Sequence, residues 1–209
     1  MTIRPQPADG NRGSPLLPTA GRPAYAQTVH SGEVGIEIAP VLDAGAVDAQ
    51  LEDQIDALLR RTCRLARSLT GAEQAALKLW VGGDASKARK YFSLSKKYSA
   101  FRDFRVDPQG FGLHGMAIPP GDVVRLIEDE VLHHPLYRNF SGAAASHPPM
   151  RGWLATSVCG ADGHVFGLLQ LSDKSEGRDF DVADEENIRE LAALIGETLA
   201  ALRSSAGSR

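Results

Sequence analysis

The stretch RGWLATSVCGADGHVFGLLQLSDKSEGRDFDVADEE, residues 151–186, is the most informative part of this chain. Two runs that suit β-strands, GWLATSVCG and HVFGLLQLS, flank Ala161-Asp162-Gly163. Because glycine tolerates the positive φ of a tight turn, this triplet predicts a hairpin between the two strands. Near its end lies Asp181, which is placed to cap a helix whose first turn is acidic. It therefore predicts two antiparallel strands followed by the last helix of the domain.

Five residues near the end of this stretch form a signature: Asp173, Lys174, Phe180, Asp184 and Glu185. They resemble the Asn-Lys…Phe…Asp-Glu signature of GAF domains, which are small sensory modules of signalling proteins. Lys174 leaves a strand and Asp184 lies in the first helical turn, so a salt bridge between them would join strand to helix over a buried Phe180. This bracing role is favoured over a nucleotide site, because perturbed ion pairs are often structural. Residue 173 is also Asp where the signature has Asn.

The resemblance extends from about residue 48 to 203 and is strongest in HPPMRGWLATSV and LLQLSDK…FDVADEE. It implies an α+β fold, with an antiparallel six-stranded GAF-like sheet flanked by helices and with long N- and C-terminal amphipathic helices. It also implies a ligand cavity between one face of the sheet and the irregular segment 96–140. In relatives, the terminal helices often form a dimer and pass signals to the next domain.

The terminal helices are marked by apolar stripes of heptad spacing. The first helix, 48–70, ends before Gly71, where a helix-ending glycine is expected. Its stripe is Leu51, Ile55, Leu58, Thr62, Leu65 and Leu69, and that of the last helix is Ile188, Leu191, Ile195, Thr198 and Leu202. Each stripe packs on the sheet, contacts a second copy of the chain, or does both. Between the helices, strands are predicted at 74–80, 91–95 and 123–127, with a short helix within 129–140.

Composition narrows the class of protein. The chain has 209 residues, of which 43% are hydrophobic, and this suits one domain, 46–204, with disordered tails at 1–45 and 205–209. A formal charge of −3 and a pI near 6.1 argue against a dedicated nucleic-acid-binding protein. Two cysteines, no secretory signal and no apolar run of about 20 residues predict a cytoplasmic protein with no membrane span.

Candidate ligand-binding residues lie on or near the presumed cavity. Arg125 is the first choice, because a charged residue inside the strand VVRLI either faces water at the edge of the sheet or binds an anion. The full set comprises polar and aromatic residues: Arg125, His114, His133, Tyr98, Phe101, Phe104, Trp153 and Thr156. Trp153 suits plain core packing at least as well.

A basic run is interleaved with aromatic residues between positions 87 and 105. It contains Lys87, Arg89, Lys90, Lys96, Lys97, Arg102 and Arg105, together with Tyr91, Phe92, Tyr98, Phe101 and Phe104. Two readings are open: an electropositive lip for an anionic, planar ligand, or a solvated hairpin tip with aromatics turned inward. The solvated tip is favoured.

The sequence gives little support to a metal site, a haem site or a catalytic function. No pair of histidines has the spacing of a helical zinc site, and a haem would need an axial ligand such as His114 or His133. Bilin attachment in related photoreceptors uses a Cys followed by His, which neither cysteine here matches. A redox enzyme of the free methionine sulfoxide reductase type would need clustered thiols. Cys63 and Cys159 are far apart in sequence and are interpreted as inert core thiols. No cofactor is identified, and no enzyme activity is expected.

Two functions remain open. The favoured one is a stand-alone cytoplasmic, bacterial GAF sensory domain that binds an unidentified small molecule and signals through its terminal helices to a separate output protein, as a homodimer. The alternative is a ligand-free GAF scaffold for dimerisation or protein docking. The identity of the ligand and of the output partner does not follow from the sequence.

Overall fold

The computed structural model describes residues 49–81, 84–101, 112–116, 118–137 and 148–206. The helices are α1 (Ala49–Thr70), α2 (Glu128–His133) and α3 (Val182–Ala206). The strands are β1 (Ala72–Val81), β2 (Asp84–Leu94), β3 (Val123–Ile127), β4 (Gly152–Cys159) and β5 (Val165–Lys174). Short 3₁₀ segments occupy Lys96–Phe101, Gly112–Gly115 and Ser175–Gly177. The tail predicted at 1–45 lies outside the described residues.

The five described strands form one antiparallel sheet in the order β2-β1-β5-β4-β3. This confirms the α+β fold with an antiparallel sheet, although the part of the chain described contains five strands where the resemblance implied six. β4 and β5 form the predicted hairpin, and its Gly163 has a φ of 83°, as the turn requires. The strand prediction at 91–95 was too short, because β2 begins at Asp84. Arg89 and Lys90 therefore lie within the strand rather than at a hairpin tip.

α1 and α3 pack on one face of the sheet, hereafter the helix face. Their buried residues form a core with Leu154, Leu169 and Leu171 of the central strands. α1 contributes Ile55, Leu59, Thr62, Cys63 and Ala66, and α3 contributes Ile188, Leu191, Ala192, Ile195 and Leu199. No helix among the described residues is long and apolar enough to cross a membrane.

The α1 stripe, which was predicted to pack on the sheet, to contact a second copy or to do both, divides into buried and exposed residues. Ile55 and Thr62 are buried, but Leu65 and Leu69 are 44% and 50% exposed. An α-helix has 3.6 residues per turn, so a strict seven-residue repeat drifts around a straight helix. Over 22 residues this drift moves the C-terminal leucines away from the sheet, and Cys63 and Ala66 take their place.

The opposite face, hereafter the loop face, carries a second and smaller core. Leu113, Ile118, Val131 and Met150 of the covering segments pack on Trp153, Ala155 and Leu168 of the sheet. α2 contributes Val131, and the Gly112–Gly115 turn contributes Leu113. Since α2 follows β3 directly, the edge strand leads without a loop into the helix that covers this face.

Candidate functional site

The salt bridge predicted between the last strand and the last helix is present. Lys174 Nζ lies 2.5 Å from Asp184 Oδ2 and 2.9 Å from Asp181 Oδ2. Burial opposes the charge of Lys174, but hydrogen bonds and charge from the two carboxylates raise its pKa overall. Asp181 precedes α3 and accepts the Asp184 N–H at Oδ1 (3.2 Å), while its own N–H donates to Asp184 Oδ2 (2.8 Å). With Phe180 buried beneath, these contacts fix the start of α3 to the end of β5.

Asp173 connects the same corner to the segment that follows β2. Its side chain is 1% exposed, and its φ of 56° lies in the left-handed region. Oδ2 accepts hydrogen bonds from the Tyr98 hydroxyl and from Lys97 Nζ, the latter at 3.3 Å. Tyr98, predicted as an aromatic wall of the cavity, is therefore held by the signature, and Phe101 packs edge-on against it with ring centroids 6.1 Å apart. Phe104 lies outside the described residues.

Arg125 lies on the helix face, not the loop face. It is paired in register with Leu154, whose side chain belongs to the helix-face core. Its Nε donates to the Glu185 carboxylate, and its Nη1 donates to the Phe180 carbonyl at 3.0 Å. Arg125 and Glu185 thus link β3 to the first turn of α3. The contact of Arg125 with a ligand stays a prediction.

Thr156 also lies on the helix face, because strand alternation puts its side chain on the same side of β4 as those of Leu154 and Val158. It is 1% exposed, and its hydroxyl donates to the Asp122 carbonyl at 2.7 Å. The structure therefore separates Arg125 and Thr156 from the loop face. The alternation within VVRLI and GWLATSVC assigns residues to two faces, but which of those faces meets the helices depends on the tertiary fold.

Trp153 is the predicted site residue that the structure places at the centre of the loop face. It is fully buried, and its Nε1 donates to Gln170 Oε1 at 3.1 Å. Gln74, on the same face of β1, donates to the Pro149 carbonyl at 2.8 Å. An apolar surface with a few convergent amides is typical of small-molecule sites. The same surface also serves as ordinary core.

The described histidine side chains, those of His133, His134 and His164, have separate partners. The His133 side chain is 77% exposed on α2 and contacts Asp129, with 3.3 Å between Nδ1 and Oδ1. His134, which the sequence reasoning did not select, is half-buried; its Nδ1 accepts the Leu136 N–H at 3.1 Å, and burial lowers its pKa. The backbone of His114 lies in the Gly112–Gly115 turn, and its side chain is outside the described set. No group of three or more His, Cys, Asp or Glu within the described ranges could hold a metal ion.

Lys78 is a residue of the loop face that the sequence reasoning missed. It lies on β1, directly opposite Lys90 of β2 and Leu168 of β5, and it is only 4% exposed. Its Nζ lies 4.9 Å from the centroid of the Trp80 ring. Burial, together with the charge of Lys90, lowers the pKa of Lys78 from 10.5 to about 8. The available signal was a lysine in the alternating strand QAALKLW, on the opposite side from its leucines.

Both cysteines are free thiols, and they lie in different elements. Cys63 is fully buried in α1, where its Sγ lies 3.5 Å from the Tyr91 carbonyl oxygen. Burial raises the pKa of this thiol to about 12, so it carries little thiolate at neutral pH. Cys159 lies at the end of β4, where its backbone closely approaches Gly196 of α3.

Comparison with known proteins gives a consistent picture. A family model described as GAF domain matches residues 52–200. The PixJ GAF domain of Thermosynechococcus elongatus, in its blue-light-absorbing form, is similar with a TM-score of 0.56 at 18% identity, over 78% of this chain and 96% of that one. The photoproduct state of GAF3 from Slr1393 of Synechocystis sp. PCC6803 is similar with a TM-score of 0.58 at 11% identity, over 74% of this chain and 99% of that one. At these identities the structural likeness shows the fold alone.

Proposed function

Because this chain belongs to the GAF domain family, we propose that it is a sensory module that binds a small molecule on the loop face and signals through α1 and α3. The observation that carries the proposal is the path from the loop face to α3. β3 runs directly into α2, whose Val131 is buried in the loop-face core. From β3, Arg125 reaches across to Glu185 and to the Phe180 carbonyl. A displacement of α2 by a ligand would therefore pull on the first turn of α3.

The proposed output surface is the outer side of the two long helices. Leu65 and Leu69 of α1 and Leu194 of α3 are 44%, 50% and 60% exposed. Exposed leucines on paired helices suit a second copy of the chain, which makes a homodimer the proposed assembly. A separate output protein would then read the orientation of these helices. The two free cysteines fit a reducing compartment, which supports the cytoplasm as the proposed location.

A ligand-free scaffold is the second candidate, and the loop-face core favours it. Trp153 is fully buried, its indole N–H is satisfied by Gln170, and Ala155 and Leu168 pack beside it. If the covering segments pack closely everywhere, this face needs no ligand. Under that hypothesis the fold serves dimerisation or docking. Neither candidate function requires catalysis, and the buried Cys63 thiol, whose pKa is raised by burial, does not suit nucleophilic chemistry.

Native mass spectrometry of the purified chain separates the two candidates. The sensory function predicts a stoichiometric small-molecule adduct that is lost on denaturation, and its mass identifies the ligand. A chain that stays free of adduct, even after incubation with a cell metabolite extract, supports the scaffold.

Hydrogen exchange then tests the signalling path. In the wild type, ligand binding should change amide exchange both in α2 and in the first turn of α3. In Arg125→Met the change in α2 should persist while that in α3 is lost. Loss of ligand binding itself would instead show that Arg125 contacts the ligand.

A further inference from the structure

The outer edge of the sheet at β2 is not paired with any of the described strands. The Ser95 N–H donates to the Glu73 carbonyl at 2.9 Å, which makes these two residues a hydrogen-bonded pair of the β1–β2 ladder. Such pairs alternate along antiparallel strands, so the backbone groups of Tyr91 point towards β1, whereas those of Lys90 and Phe92 point outwards. An edge with outward N–H and C=O groups is a template for pairing with another extended segment.

On the loop face, the side chains along this edge offer an apolar surface. Phe92 is 53% exposed, and Leu94, two residues further along the same side of β2, is half-buried. Burying apolar surface is favourable, and pairs of aromatic and β-branched side chains on neighbouring strands stabilise a sheet. A segment that pairs with β2 therefore gains from β-branched apolar side chains on its loop-face side.

On the helix face, arginines of α1 line the same edge. The Arg60 guanidinium lies 5.6 Å from the centroid of the Tyr91 ring of β2. Arg64 lies one turn further along α1 and is exposed. Within the described part of the chain, neither arginine forms an ion pair with a carboxylate. A segment that pairs with β2 therefore meets positive charge on this side, which favours an acidic residue there.

The tail that precedes α1 contains a stretch with this chemistry. Residues 36–39 have the sequence IEIA, so both isoleucines lie on one side of an extended chain and Glu37 lies on the other. If the isoleucines are opposite Phe92 and Lys90, their backbone groups meet the outward groups of β2 and their side chains share the loop face with Phe92. Glu37 then lies on the helix face, where the arginines are. The stretch itself lies outside the described residues.

The connection from this stretch to α1 has the length and direction that the pairing needs. α1 runs parallel to β2, because Glu52 contacts Arg89 and Arg67, further along the helix, contacts Ser93, further along the strand. A chain that reverses direction before α1 is therefore antiparallel to β2. Residues 40–48 separate the stretch from α1, and nine residues can span up to about 30 Å.

We propose that residues 36–39 pair as an antiparallel strand with the outer edge of β2, with the isoleucines beside Phe92 and with Glu37 beside Arg60 and Arg64. This inference goes beyond the proposed sensory function and does not depend on a ligand. The paired stretch covers an edge that would otherwise be open to the strands of other chains. It also supplies the carboxylate that complements the arginines of α1.

Amide hydrogen exchange of the full chain, followed residue by residue with NMR, tests the pairing. In the wild type, the outward amides of Lys90 and Phe92 should exchange at least about tenfold more slowly than in Ile38→Pro, because proline removes a hydrogen-bond donor from the paired stretch. The amide of Tyr91, which faces β1, should exchange equally in both proteins and reports that the sheet is folded. Ala20→Pro introduces proline elsewhere in the tail and should leave all three rates unchanged.

An exchange of charges tests the position of Glu37. Glu37→Lys and Arg60→Glu should each speed the exchange of the Phe92 amide by about two- to fivefold, as expected for a cross-strand charge pair. The double variant should recover part of the protection, because it restores opposite charges. Effects that simply add in the double variant would overturn the placement of Glu37 beside Arg60.

Two results would overturn the pairing itself. One is rapid exchange of the Lys90 and Phe92 amides in the wild type, which would show an open edge. The other is protection that Ile38→Pro leaves unchanged, which would show that something else covers the edge. If that protection also falls on dilution, a second copy of the chain occupies the edge in place of residues 36–39.

Discussion

At the scale of single residues, position along a strand decides what each basic side chain does. On β2, Arg89 and Lys90 differ by one residue and point to opposite faces. Arg89 forms ion pairs with two acidic residues of α1, Glu52 at 3.1 Å and Asp56 at 3.8 Å. Lys90 faces Lys78 instead. Within the described part of the basic run, Arg89 and Lys90 therefore belong to two different faces of the sheet, while the choice between a ligand lip and a solvated tip stays a prediction.

The buried Lys78 should leave a signature in the pH dependence of stability. Its pKa is about 8 in the folded chain and 10.5 ordinarily. Between these values the unfolded chain binds more protons, so the lysine's penalty is present in full below pH 8 and is relieved as pH rises. We expect the free energy of unfolding of the wild type to rise relative to Lys78→Met by at most about 1.4 kcal/mol per pH unit in this window.

Urea unfolding of both proteins across this pH window measures the difference between their free energies of unfolding. Ionisable groups that the two proteins share contribute equally to both and cancel in this difference. A difference between wild type and Lys78→Met that stays constant with pH would contradict the assigned environment of Lys78.

The ion pair between Lys174 and Asp184 is a second test at this scale. Both side chains are buried, at 7% and 6% exposure. Lys174→Met leaves the Asp184 carboxylate buried without its cation, which should cost about 3–5 kcal/mol in the free energy of unfolding. In Lys174→Met/Asp184→Leu no charge is stranded, so part of this loss should return. A single variant as stable as the wild type in urea would show that the pair does not brace β5 to α3.

At the scale of elements, the approach of α3 to the sheet depends on a glycine. A Cβ added at Gly196 would lie 1.9 Å from the Cys159 carbonyl oxygen, far inside van der Waals contact. Backbone atoms cannot rotate away as a side-chain tip can. The absence of a side chain at this position therefore lets α3 lie directly on β4.

Gly196→Ala should consequently destabilise the fold, against the usual gain of about 1 kcal/mol for this exchange inside a helix. We expect a net loss of about 2–4 kcal/mol, similar to other overpacked sites, in thermal or urea unfolding. Glu197→Ala, at the exposed neighbouring position, should stay within about 0.5 kcal/mol of the wild type. A more stable Gly196→Ala would mean that α3 is free to shift away from β4.

The elements were largely predictable from local pattern, because strand alternation, turn glycines and capping residues are encoded within a few positions. The β4–β5 hairpin, the strand β3 and the end of α1 at Gly71 follow from such signals. The site was less predictable. The alternation in VVRLI predicts that the side chain of Arg125 lies on the opposite face of the strand from those of Val124 and Leu126. Only the packing of α3 shows that the face carrying Arg125 is the helix face. The importance of Lys78 depends likewise on its pairing with β2.

At the scale of the whole molecule, the sheet separates two surfaces for which different functions are proposed. The loop face carries the proposed ligand site, and the helix face carries α1 and α3 with their exposed outer leucines. Arg125 links β3 to the first turn of α3, and Asp173 links the segment after β2 to the end of β5. A sensory module needs such a connection, because a ligand changes an output surface only through differential contacts with two states.

The proposed homodimer gives the last prediction. Burying Leu65 and Leu69 of two copies removes apolar surface from water, so the wild type should sediment as a dimer at equilibrium. Leu65→Glu/Leu69→Glu places charges in that interface and should yield a folded monomer. Leu132→Glu changes a leucine of similar exposure, 53%, on α2 at the opposite face, and should leave the dimer intact. If the wild type stays monomeric at high concentration, or if Leu132→Glu is the variant that dissociates, the outer surface of α1 is not the interface.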